Sequence, residues 1–165
     1  MSTRQEDDKK FQILKLVHDT HRKEIAFHRE ALDRVFQWTT SLLLAIGGGL
    51  IVIGPKISTS YGIGGPLLIT VAVGVICFFA IKLTNGNAKD INTNAKIVVK
   101  TDRLLKLFEP NYFKNDEAIY PEDWMMWGKE RDAAKYRSYN IRLIIVFMVS
   151  ILILIWMDLI RALFQ

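Results

Sequence analysis

Between Trp38 and Ile53 the chain reads Trp-Thr-Thr-Ser-Leu-Leu-Leu-Ala-Ile-Gly-Gly-Gly-Leu-Ile-Val-Ile, without a charge, and the run stops at Gly54-Pro55. That is about the length of the shortest helix that crosses a hydrocarbon core. A second apolar run, Pro66–Leu83, opens on a proline, whose missing N–H costs nothing at a helix start. A third follows at Leu143–Ile160. The charged residues gather outside these runs, although half of the 165 residues are hydrophobic. Such segregation is the pattern of a small multi-span membrane protein and not of a soluble globule. The length leaves room for one compact unit. The expected fold class is therefore all-α, with three transmembrane helices continuous with a cytoplasmic amphipathic helical bundle. The segments read as a cytoplasmic amphipathic helix (1–37), a transmembrane helical hairpin (38–83), cytoplasmic helices (84–142), and a third transmembrane helix with a short tail (143–165).

Basic residues set the expected orientation, because Lys and Arg collect on the cytoplasmic side. Eight of the 22 precede the first run and twelve lie between Lys82 and Arg142, against only Lys56 in the hairpin loop and Arg161 after the third run. The N-terminus and the 84–142 segment are thus expected in the cytoplasm, and the hairpin loop Gly54–Gly65 and the C-terminus outside. With no signal-peptide pattern ahead of the first run, the expected location is the inner (cytoplasmic) membrane. Trp38, Tyr136 and Tyr139 fall near the inner interface, and Tyr61 and Trp156 near the outer one, where amphipathic rings settle. The net charge of +5 is read here as topology and lipid-headgroup contact, so no direct nucleic-acid partner is expected. Asp158 lies in the last turn of the third run, beside Arg161 at i+3. It reads either as half of an interfacial ion pair or as one of a ring of carboxylates at the outer mouth of a pore.

Residues 8–37 read as one amphipathic helix. Phe11, Leu14, His18, His21, Ile25, His28, Leu32 and Val35 follow 3-4 spacing, a heptad seam that continues through Thr39 and Leu42 into the first run. All three histidines of the chain lie on this seam. They admit three readings. Neutral imidazoles can fill a semi-polar core, or the same residues can act as a pH-sensing switch, since charging them in a packed seam drives helices apart. A metal site is the third, but no cluster of further ligands completes a set. After the second run, Thr84-Asn85-Gly86-Asn87 reads as a break or kink. Ile91, Ala95, Val98, Leu105 and Phe108 outline a further helix ending before Pro110. Pro121 is expected to open another, with Glu122 and Asp123 favourable to its dipole, that runs straight into the third span. Trp124 and Trp127 share a face of it, flanked by Met125 and Met126. They read either as anchors against neighbouring helices or lipid, or as a docking patch for a cytoplasmic protein partner or sensor.

The first run carries a small-residue stripe, Ser41, Ala45 and Gly49, with Gly47 and Gly48 beside it; such stripes let helix backbones approach closely. Ser41, Ala45, Gly48 and Gly49 are the candidate oligomer or pore-packing residues. No ionisable residue lies near the midplane of any run and no inverted repeat is visible, which argues against a pump or transporter. One copy has too few spans for a pore, whereas several copies can enclose one lined by Ser, Thr and Gly and gated by dewetting. No nucleophile–base pair or metal cluster is recognisable, so no catalytic, cofactor or metal role is assigned. The single cysteine, Cys77, lies inside the second run.

A charged helix running into a span rich in Thr, Ser and Gly (Trp38–Gly49), then a tight hairpin and a cytoplasmic helix, resembles the SLATT-like membrane effectors of bacterial conflict and anti-phage systems. The resemblance covers roughly Phe11–Phe108 and is architectural; the third span departs from a simple two-span plan. It implies a homo-oligomer in the lipid bilayer that forms a pore or disrupts the membrane when an associated sensor signals infection, and it carries over no functional residue. The alternative expectation is a membrane-anchored adaptor that recruits a cytoplasmic partner through its helical bundle.

Overall fold

In the computed structural model the backbone is described for residues 2–110, 112, 118–127 and 131–163, and side chains for 7–53, 61–110, 112, 118–127, 137–157 and 160. Among the described residues the protein is all-helical: α1 (Ser2–Tyr61), α2 (Gly64–Leu104), a short 3-10 turn (Glu122–Met126) and α3 (Arg131–Leu163). All three long helices are apolar enough, over enough length, to cross a membrane, which fits a multi-pass membrane protein.

Three boundaries differ from the sequence expectation. α1 does not stop at Gly54-Pro55 but runs to Tyr61, so the hairpin is closed by Gly62 and Ile63 alone. Breakers are tolerated in membrane helices, where leaving helical geometry would strand backbone groups without water. Counted from Trp38 to Tyr61, the helix now spans roughly 36 Å at 1.5 Å per residue, enough for a hydrocarbon core that the shorter run barely covers. The reversal rests on Gly62, whose φ of +53° is a left-handed conformation, and Leu67 N–H donates to the Ile63 carbonyl at 3.2 Å to start the return helix. Secondly, α2 passes through Thr84-Asn85-Gly86-Asn87 without a break. Buried Thr84 and Ala88 flank the glycine, and packing on that scale outweighs a propensity cost of about 1 kcal/mol. Thirdly, the helix expected from Pro121 into the last span is two elements: Trp127 is extended (φ −60°, ψ 136°) and ends the 3-10 turn. The next residue is Gly128, a stop signal that the tryptophan pattern overshadowed.

The length suggested one compact unit, but contacts divide the chain into two. The first comprises Met1–Ala31 and Gly86–Tyr136. Its buried apolar residues are Ile25, Ala88, Ile91, Ala95, Val98, Val99 and Phe108. The second comprises Leu32–Asn85 and Arg137–Gln165, with a core of Leu43, Leu50, Val73, Cys77, Ala80, Ile144, Ile151 and Ile155. Outside that core its helices expose Trp38, Leu44, Ile51, Val52, Leu68, Phe78, Phe79 and Ile153. An apolar surface of that extent suits lipid, not water. Thr39, Thr40 and Ser150 satisfy their hydroxyls within their own helices, donating to the carbonyls of Val35 (2.7 Å), Phe36 (2.8 Å) and Val146 (2.9 Å). This is the arrangement an apolar solvent demands.

Candidate functional site

In the first unit the histidine seam of α1 is taken up by α2 of the same chain. His28 Nδ1 donates to the Asn87 side-chain oxygen at 2.9 Å, and His21 Nδ1 to that of Asn94 at 2.8 Å. His18 Nε2 lies 3.1 Å from Asp102 Oδ1, an ion-pair distance whose angles fall outside hydrogen-bond geometry, and its Nδ1 lies 3.2 Å from Asp19. All three histidines of the seam thus meet α2 of their own chain, two of them through hydrogen bonds. Asn87 and Asn94 are seven residues apart, the spacing that returns a helix to the same face. Asp102, almost fully buried, has its carboxyl raised by loss of hydration, while His18 and Arg22 pull it back down. Imidazolium keeps its Nδ1–H, so charging His21 or His28 leaves the bonds to asparagine intact. His28 Nε2 also lies 3.8 Å from Glu24 Oε2, an ion pair only when the imidazole is charged.

Beside this ladder α2 ends in a Schellman cap. Lys106 adopts φ +59°, its N–H donates to the Arg103 carbonyl at 3.0 Å, and Leu107 N–H donates to the Asp102 carbonyl at 3.1 Å. A side chain at this position is strained, and Lys106 is held there by an ion pair with Glu109 (3.3 Å) and by contact with the Tyr112 ring. The chain then returns to the bundle at Tyr120. Its N–H donates to the Leu107 carbonyl, its ring meets Phe108 edge-on and lies 5.0 Å from Trp124, and Arg22 donates to its hydroxyl at 3.3 Å.

The tryptophan pair is parted. Trp124 rests on Tyr120, whereas Trp127, half-buried, lines a cleft of about 460 Å³ with Met125, Val99, Leu104 and the bases Lys96, Lys100 and Arg103. The bases follow each other at i, i+4 and i+7, a stripe on one face of α2 that was legible in the sequence but was absorbed there into the basic excess read as topology and lipid-headgroup contact. Asn87 was missed because it fell in the supposed break at Gly86, and Asn94 and Asp102 because they lie within the expected helix but off its apolar positions.

In the second unit Ser41, Ala45, Gly48 and Gly49 are exposed. A Cβ at Gly48 or Gly49 would meet nothing within 4 Å, while one at Gly47 would sit 3.7 Å from Ile151. Gly47 thus faces α3, and the rest of the stripe faces away from this unit's own helices. The Asp158 side chain lies outside the described residues. Among the described residues, no three His, Cys, Asp or Glu side chains gather as metal ligands. Compared with protein-family models, curated proteins and solved structures, the chain matches none.

Proposed function

We propose that the protein is an oligomeric membrane effector, its N-terminus and first unit cytoplasmic in a bacterial inner membrane. Copies associate through Ser41, Ala45, Gly48 and Gly49 to open a pore or disrupt the bilayer, in the manner of the anti-phage effectors it resembles. The observation that carries this reading is the free small-residue face. Three consecutive glycines weaken a helix by about 1 kcal/mol each relative to alanine. One of them is used inside the unit and the neighbouring two are left open to a second helix. The histidine seam, occupied by α2, is left out of the subunit contact.

Gly48→Leu and Gly49→Leu provide the test, because a Cβ at either position meets nothing within 4 Å. The expected outcome is a protein that still inserts and folds but sediments in nanodiscs as a smaller species and no longer permeabilises the host membrane. Wild-type protein that is already a monomer or dimer in mild detergent would defeat the pore.

A second reading has its own observation: Trp124 is 47% exposed and Met126 57% exposed. A membrane-anchored adaptor would use that patch to recruit a cytoplasmic partner. Trp124→Ala would then abolish recruitment and leave the oligomeric state unchanged.

A further inference from the structure

The cleft between the end of α2 and the 3-10 turn combines two chemistries, cationic and apolar. On one side stand Lys96, Lys100 and Arg103, all exposed; on the other, Trp127 and Met125 meet buried Val99. Among the described residues that line it there is no carboxylate. The nearby acid of α2, Asp102, is engaged with His18 on α1. A helix C-terminus ordinarily repels anions through its unbonded carbonyls. Here the Schellman cap fills the Asp102 and Arg103 carbonyls, and three cations outweigh what partial charge remains.

We propose that this cleft binds an organic phosphate: phosphate oxygens on Lys96, Lys100 and Arg103, and an apolar or planar body against Trp127, Met125 and Val99. The guanidinium of Arg103 offers a fork that matches phosphate geometry, and the two ammonium groups add point charges. An indole face supplies stacking for a ring. The volume decides the size class. About 460 Å³ lies within the range of small-molecule sites and far below a nucleic-acid groove. Two sources offer this chemistry, a free nucleotide and a phospholipid headgroup with the start of its chains. The proposal is independent of pore formation, since it rests on the first unit alone.

The experiment uses full-length protein in phosphatidylcholine nanodiscs, titrated calorimetrically with ATP, with tripolyphosphate, and with short-chain phosphatidylglycerol. ATP or the lipid should bind, and Lys100→Glu with Arg103→Glu should weaken that binding at least tenfold. Trp127→Ala should weaken ATP by roughly five- to a hundredfold, the span expected for one lost stacking contact, weaken the lipid several-fold through lost apolar contact, and leave tripolyphosphate unchanged. Trp127→Phe, which keeps an aromatic face, should restore most of the loss, and equal circular-dichroism melts guard against misfolded variants. ATP binding that meets these conditions identifies a soluble ligand, and phosphatidylglycerol binding that meets them identifies the headgroup. Binding of neither probe, binding indifferent to the charge reversal, or tripolyphosphate matching ATP with no effect of Trp127→Ala would overturn the proposal.

Discussion

Asp102, packed against His18, brings a pH dependence into the first unit. Loss of hydration raises the Asp102 carboxyl, so the folded protein takes up that proton at a higher pH than the unfolded chain. The favourable contribution is complete below the ordinary carboxylate range and disappears as pH rises through the raised value; above it, the buried carboxylate is a net cost that His18, Arg22 and their charges only partly offset. Asp102→Asn should therefore raise the melting temperature at pH 7–8, and the gain should shrink towards pH 4 as the native carboxyl protonates. Thermal melts across that window check the sign, and Asp19, which also faces His18, is the control site. His21→Ala should cost about 1 kcal/mol by orphaning Asn94, and His21→Ala with Asn94→Ala should recover part of it, which a double-mutant cycle measures. The spacing of the histidines announced that this face of α1 is covered. It did not reveal by what, because a seam specifies a face and not the identity of the partner across it.

Helix identity was legible from the apolar runs and 3-4 spacing, and the ends of helices were not. At Gly54-Pro55 and Thr84-Asn85-Gly86-Asn87 the local signals say stop, and packing or the demand for backbone hydrogen bonds overrules them. At the tryptophans the apolar pattern said continue, and Trp127 ends the element. Two turns hold residues in left-handed geometry, and each makes a prediction. Gly62→Val places a branched side chain at φ +53° and should cost about 1–2 kcal/mol, read as easier unfolding of the hairpin in denaturant titrations of nanodisc-embedded protein. Lys106→Val should destabilise the first unit by about 1 kcal/mol or more, whereas Lys106→Gly should come out near neutral, as relief of strain offsets the lost contacts with Glu109 and Tyr112.

Across the whole molecule, two units with separate cores predict separable stability. Ile25→Ala and Ile144→Ala each remove a nearly or fully buried side chain, at a cost of about 2–4 kcal/mol. Hydrogen exchange followed by mass spectrometry should show protection lost mainly in residues 7–31 and 86–110 for the first and mainly in 32–53 and 137–157 for the second. Loss spread evenly through both would mean a single cooperative unit. The border between the units falls inside continuous helices where no linker marks it, so the sequence signals it only through the change from charged to apolar composition. The two-residue reversal at Gly62-Ile63 has a consequence for how such a chain can be reached. Where α1 turns back as α2, only two residues lie outside a helix. A protease needs several residues in extended form, so limited proteolysis of the embedded protein should leave the join between the two helices uncut.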